Sequence, residues 1–308
     1  MTNKIPVILA KHRPAGTQQE QLEKDLVRGL AGIPGAVVTV IPHLYDLAPD
    51  GPAIERLRSI PGDLVVLSWL YPRAAYWVLD ANQVQGRLGP TFSLQEGDLD
   101  EPARQLGSDA SDRTIWCFDL RTHDRPKPYL EQIERIAAMT LEAVSQAAEP
   151  APNAALSAAD EVLEAVKARW YPVVDFSRCT NCLECLNFCL FGVYSLDPRQ
   201  AILVEQPDAC RPGCPACARV CPQGAIMFPQ HKDPAIAGDP KASSQAAKLD
   251  LSQLLSGVDP ADLAAAERLH ALREQQAPKS VGPRPDREKP AGESDLDRLV
   301  DEVDGLNL

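Results

Sequence analysis

Cys179-Thr180-Asn181-Cys182-Leu183-Glu184-Cys185-Leu186-Asn187-Phe188-Cys189 and, further on, Cys210-Arg211-Pro212-Gly213-Cys214-Pro215-Ala216-Cys217-Ala218-Arg219-Val220-Cys221-Pro222 together hold eight of the nine cysteines of this 308-residue chain. The first run reads C-x2-C-x2-C-x3-C and the second C-x3-C-x2-C-x3-C. An iron–sulfur cube needs four thiolates arriving from different directions on one compact core. A tight loop with sulfurs at about every third residue delivers three of them, and the fourth must come from elsewhere in the chain. Zinc is the rival occupant. Its sites use thiolates in C-x2–4-C pairs separated by a longer loop, whereas here three thiolates crowd into each run with a fourth close behind, which suits a cube better.

Each run is entered by a short apolar segment, Val173-Val174 before Cys179 and Ile202-Leu203-Val204 before Cys210. Each is followed by another, Phe191–Leu196 and Ala225–Phe228. That is an internal repeat, and it would place the two loops in pseudo-twofold positions from which each last cysteine can reach across. Leu183, Leu186, Phe188, Leu190, Val220 and Met227 supply apolar cover, and Gly192, Gly213 and Gly224 allow close backbone approach. The ninth cysteine, Cys117, lies in the apolar run Ile115-Trp116-Cys117-Phe118 and reads as a buried core thiol.

The formal net charge of −12 argues against a nucleic-acid partner, because a phosphate backbone calls for a basic surface. The acidic excess lies on both sides of the nearly neutral cysteine region. No stretch approaches the ~20 apolar residues of a membrane span. Residues from Met1 to Pro6 show no secretory pattern, so a cytoplasmic address is expected, where closely spaced cysteines mean metal or redox chemistry, not disulfides.

Upstream, the pattern is α/β. Ile5–Ala10, Ala36–Ile41, Leu64–Leu70 and Thr114–Leu120 read as buried strands. Between the first two, Thr17 and Glu20 make an S/T-x-x-E capping pattern before Leu22, Leu26 and Leu30. Further helices are expected over Pro52–Ser59, Ala74–Gln83 and Pro128–Ala148. Strands alternating with helices imply a parallel sheet covered on both faces.

The cysteine region, residues 170–230, resembles the bacterial two-cluster [4Fe-4S] ferredoxins. The resemblance implies a small α+β domain with two [4Fe-4S] clusters. It also implies exchange of the last ligand: Cys179, Cys182, Cys185 and Cys221 on cluster 1, and Cys210, Cys214, Cys217 and Cys189 on cluster 2. Two departures stand out. Leu190 replaces the proline that the family usually has after Cys189, and the extra residue between Cys210 and Cys214 changes the approach of that sulfur, leaving a [3Fe-4S] form open there.

The expected organisation is therefore an α/β parallel-sheet N-terminal domain over 1–148, with flavodoxin-like or chelatase-like layering. A linker and a short helix (Ala158–Ala168) come next, over 149–169. The ferredoxin domain occupies 170–230, and an acidic, largely disordered tail occupies 231–308. Within the tail, Pro260–Gln275 and Ser294–Val303 could be helical, and Ala277–Gly292 is Pro- and charge-rich.

Ligands of parallel sheets bind beyond the carboxyl ends of strands. Those positions hold Lys11, His12 and Arg13, then Tyr71 and Arg73, then Arg121, His123, Asp124 and Arg125, suggesting an anionic small ligand or, equally simply, a solvated polar rim. Val7–Leu30 resembles the first β-loop-α of chelatase-like domains, although Lys11-His12-Arg13-Pro14 keeps only the histidine of their turn. Neither G-x-G-x-x-G nor G-x4-G-K-[ST] occurs. A complete thiolate set without a recognisable catalytic constellation points to an electron carrier between redox partner proteins. The alternatives are an oxidoreductase, or a subunit of one, whose N-terminal domain holds a substrate or second cofactor, and a module in which the metal is only a staple.

Overall fold

The computed structural model describes residues 4–13, 16–94, 113–145, 160–242 and 260–276. The chain divides into two units, 1–271 and 272–308. At the centre of the first is a six-stranded sheet made of β1 (Ile5–Ala10), β2 (Ala36–Ile41), β3 (Leu64–Ser68), β4 (Arg87–Leu88), β5 (Thr114–Asp119) and β6 (Asp160–Glu161). The order is β4-β5-β3-β1-β2-β6, and every pair is parallel. The four long strands are mostly apolar because both of their faces are covered.

Strand alternation sends the two faces into separate cores. Val7, Leu9, Val65, Leu67 and Phe118 pack under α1 (Thr17–Leu30) and α4 (Lys127–Ser145), meeting Leu22, Leu26, Leu30, Tyr129 and Ile133. Ile8, Ala10, Val66, Ile115 and Cys117 face α2 (Pro52–Ser59) and α3 (Pro72–Ala81). Cys117 is fully buried, as its surroundings in the sequence imply. This second core does not stop at the helices. It continues through Tyr171, Val173, Val174, Tyr194, Met227 and Phe228 into the cysteine region.

That region is built on two short antiparallel pairs. β7 (Val173–Val174) pairs with β10 (Ile226–Met227), and β8 (Tyr194–Leu196) pairs with β9 (Ile202–Val204). Each half is a strand, a cysteine loop, a short helix and a strand: β7, α5 (Glu184–Phe188) and β8, then β9, α6 (Ala216–Val220) and β10. The repeat read from the sequence is present, and its outer strands pair with each other. The chain continues through α7 (Pro234–Ala237) and α8 (Pro260–Gln276).

Two local expectations fail. Helix α1 begins after Gly16, which has no side chain to offer, and no side-chain cap bond forms, so the Thr17–Glu20 box is not made. The Ala158–Ala168 helix is absent over its described part. Asp160 and Glu161 pair with Thr39 and Val40 at the sheet edge, and the Val162 N–H extends that ladder to the Val40 carbonyl at 2.9 Å. Exposure then alternates, with Val162, Glu164 and Val166 turned inward. The Glu164 carboxylate accepts from the Ala48 N–H in the loop before α2 at 3.3 Å and from the Ala53 N–H in its first turn at 3.2 Å. An open sheet edge and unpaired helix N–H groups outweigh the helix propensity of this stretch. Residues Ala277–Gly292 and Ser294–Val303 lie outside the described residues.

The joint between sheet layer and cysteine region is polar as well as apolar. Arg73 of α3 pairs with Asp175, just after β7, and donates to the Gly224 carbonyl at 2.9 Å. Tyr45 stacks on Tyr171, with ring centroids 4.3 Å apart, and its hydroxyl accepts from the Tyr171 N–H at 2.7 Å. Asp46 accepts from Arg13 Nε at 2.7 Å and from the Arg169 N–H at 2.9 Å.

Candidate metal centre

The first cysteine loop winds tightly because two of its residues that are not glycine, Asn181 and Leu183, sit in the left-handed region at φ 55° and 64°. That conformation is uncommon for branched side chains and persists where surroundings enforce it. Part of the enforcement is visible: the Asn181 side chain donates to the Gln200 carbonyl at 2.8 Å and accepts from the Ile202 N–H at 2.9 Å. At its entrance the Cys179 N–H donates to the Asp175 carbonyl at 3.0 Å. In the second loop the extra residue is absorbed by Gly213, at φ 81° with open space where a side chain would stand. Gly192 and Gly224, each three residues after the last cysteine of its run, share left-handed φ values of 66° and 57°.

These loops bring the thiols together across the repeat. One cavity is lined by Cys179, Cys182, Cys185 and Cys221, with Val174, Ile202 and Ile226 as apolar wall. Another is lined by Cys189, Cys210, Cys214 and Cys217, with Phe188, Phe191, Val193 and Tyr194. The final cysteine of each run therefore faces the trio of the other run. Burial, then neighbouring thiols, push Cys185 up to about 12 and raise Cys210 too. Such thiols stay protonated unless a cation replaces the proton, and a bound metal does that.

The two cavities differ in exposure. In the first, Cys182 is exposed, Cys179 half-buried and Cys185 and Cys221 buried, whereas in the second Cys210, Cys214 and Cys217 are buried and Cys189 is half-buried. Their hydrogen bonds differ too. The Ala225 N–H donates to Cys221 Sγ at 3.3 Å in the first, and the Tyr194 hydroxyl donates to Cys217 Sγ at 3.1 Å in the second. Trp170 Nε1 donates to the Cys214 carbonyl at 3.2 Å. Tyr194 and Trp170 escaped the sequence reading. Tyr194 stands where the other half of the repeat has Ile226, five residues after its last cysteine, and that polar-for-apolar difference was the available signal.

Among the described residues, no group of three or more His, Cys, Asp and Glu side chains is set to hold a single metal ion. A cube asks for something else: its four thiolates each take a different iron and need not meet at one point. Two cavities walled by four sulfurs each, with Thr180, Asn181, Glu184 and Gln223 beside the apolar wall of the first and Arg268 beside that of the second, fit that requirement in the chemistry of their donors.

The cationic loops of the sheet behave differently. Lys11 pairs with Glu161, Arg13 with Asp46, and Arg121 with Asp119 while lying 4.0 Å over the Tyr71 ring. Arg73 is committed to the joint, and Arg125 is exposed. A cavity of about 820 Å³ opens beyond β1, lined by Lys11, His12, Arg13, Glu20, Glu23 and Lys24 among others. His12 meets the Trp69 ring edge-on at 4.8 Å, and Glu23 accepts from the His12 N–H at 2.6 Å and from Trp69 Nε1 at 2.8 Å. Arg73, Arg121 and Arg125 are not among the described residues lining this cavity, so they do not gather there with Arg13. His123 lies instead against Phe92, 4.9 Å between rings. Among the described residues, no helix is long and apolar enough to cross a membrane.

No family model matches the chain. A 66-residue segment is 41% identical to an uncharacterized ferredoxin of Methanocaldococcus jannaschii, covering 21% of this chain and 44% of that relative. The chain thus spans less than half the length of the curated relative it matches, and it contains a ferredoxin-like segment.

Proposed function

We propose that this chain is an iron–sulfur electron-transfer protein carrying two [4Fe-4S] clusters, one on Cys179, Cys182, Cys185 and Cys221, the other on Cys210, Cys214, Cys217 and Cys189. The observation that carries the reading is the shared lining of each cavity, three thiols from one run and the last of the other. The ferredoxin-like segment supports it. When bound, each cluster would supply a one-electron couple. The chain's own residues hold the thiolates, exclude water with an apolar wall, and orient N–H and O–H donors toward sulfur. The exposed Cys182 edge is where redox partner proteins approach in this reading, since electrons pass most readily where a centre lies near the surface.

Anaerobic preparation followed by iron and sulfide assay tests it. About eight irons per chain are expected, with a spin-coupled EPR signal after dithionite reduction. A colourless protein with one zinc per four cysteines would overturn it.

A second reading is favoured by the cavity beyond β1. There the N-terminal layer would bind an anionic small molecule at Lys11, His12 and Arg13, and the clusters would serve a reaction on it. In a parallel sheet that position, where the order turns from β2 on one side to β3 on the other, is the usual ligand crevice. Thermal unfolding with and without added inorganic phosphate or citrate distinguishes the readings, because a ligand of the folded state raises the melting temperature.

A further inference from the structure

The electron relay, as proposed, makes no use of α8, yet this helix is fastened to one of the two cysteine sites. Ala264 is fully buried against Cys214 and Ala216. Glu267 accepts from Arg219 Nε at 2.9 Å, and Arg219 lies between Cys217 and Cys221. Arg268 Nη1 donates to the Phe188 carbonyl at 2.7 Å while its guanidinium lies 4.0 Å over the Phe188 ring, one residue before Cys189. The Ala264 and Arg268 anchors land on the walls of the second site, and the Glu267 anchor holds α6, the helix that carries Cys217.

Arg268 does more than close the wall. It lines the same cavity as Cys189, Cys210, Cys214 and Cys217, and among the described lining residues it is the charged one. Its Nε–H is buried and has no hydrogen-bond partner. A buried donor without an acceptor is costly and calls for one. The first site, by contrast, has an exposed cysteine, and no residue of α8 is among its described lining.

We propose that α8 is an intramolecular cap on the Cys189–Cys210–Cys214–Cys217 site, and that Arg268 is a positioning residue whose charge and free Nε–H are directed at the sulfur-rich group held there. The inference rests on the iron–sulfur reading. Its consequence is asymmetry: the second site, whose cysteines are buried or half-buried, faces a cation, while the first stays open at Cys182. A nearby cation and a donor to sulfur both favour the more negative, reduced state, so Arg268 raises the potential of the couple it faces. The Glu267 carboxylate acts in the opposite direction.

The test uses the full chain loaded anaerobically. Iron and sulfide content of the unaltered protein decides the underlying reading first; absence of both would end that reading and leave nothing for the cap to cover. With clusters present, EPR-monitored redox titration of Arg268→Gln and Glu267→Gln reads the cap. Arg268→Gln should lower one of the two potentials, Glu267→Gln should raise that same one, and the other couple should stay in place in both. Equal movement of both couples, or of neither, overturns the proposal. A chain ending before Pro260 supplies a second measurement: iron release to a chelator should become biphasic, with half of the iron leaving faster. Release from the shortened chain at the unaltered rate would also overturn the proposal. If that chain fails to fold, the two point variants still decide.

Discussion

Arg73 and Asp175 form an ion pair in which both side chains are almost out of solvent, 8% and 2% exposed, and which joins a helix of the sheet layer to the strand feeding the first cysteine loop. Arg73 also satisfies the Gly224 carbonyl, and Asp175 receives the Ser177 N–H at 2.9 Å. Removing Arg73 leaves the buried Asp175 carboxylate with the more distant Arg178, at 3.7 Å, and orphans the Gly224 carbonyl. Arg73→Ala is therefore expected to cost about 3–5 kcal/mol, whereas replacing both partners, Arg73→Met with Asp175→Leu, should recover a good part of it. Denaturant unfolding of the anaerobic protein measures both. A loss below about 1 kcal/mol for the single variant would mean that water replaces the guanidinium.

Tyr194→Phe removes the hydroxyl that donates to Cys217 Sγ and little else. On the proposed two-cluster reading, loss of one donor to a ligand sulfur disfavours the reduced state, so the potential of the second couple should fall while the first is unmoved. Stability should drop by about 1 kcal/mol. Potentiometric titration of the variant checks the direction, and a change confined to the first couple would contradict the assignment of Cys217.

Asp80, near the end of α3, has its pKa raised to about 6 by burial. The folded state thus holds this proton more tightly than the unfolded chain, whose carboxyl titrates near 3.8. The ionised carboxylate is therefore destabilising: its cost appears as pH rises from about 4 to about 6, and it is full at neutral pH. Because the side chain is partly exposed, about 1 kcal/mol is expected. Asp80→Asn should be more stable than the parent at pH 7 and equal to it near pH 4. Melting curves across that range test this, and a variant with the same advantage at both ends would exclude ionisation as the cause.

The strands of the cysteine region are two or three residues long and cannot hold their register alone. Stripping the proposed clusters should therefore abolish amide-exchange protection over 173–228 while β1, β3 and β5 keep theirs. Hydrogen exchange followed by mass spectrometry reads each segment separately. Equal protection before and after stripping would show that packing onto α3 suffices without metal.

Much of the architecture was legible because its signals were local. Ile5–Ala10 and Ala36–Ile41 are strands to the residue, since an apolar run bounded by turns leaves few alternatives. The expected grouping of cysteines came from the resemblance to two-cluster ferredoxins, which the spacing of the two runs carries. What stayed hidden depended on distant partners. Nothing near Glu164 says that its carboxylate will meet the start of α2, so Asp160–Glu161 looked helical where a sheet edge claims it. Arg73 read as a loop cation for a ligand, and only the fold reveals Asp175 opposite it. The Pro260–Gln275 segment showed its helical character but not its berth, because the Glu267–Arg219 and Arg268–Phe188 contacts span long stretches of chain.

The core under α2 and α3 runs without a break from Ile8 and Val66 to Met227 and Phe228, and Gly238, at φ 99°, leaves no room for a methyl group between Met227 and Ala74. Neither half is thus a portable cassette. Excising 1–170 for expression would bare Tyr45 and Trp77 and invite aggregation, and a graft of the cysteine loops onto another scaffold would lack the floor on which they are laid.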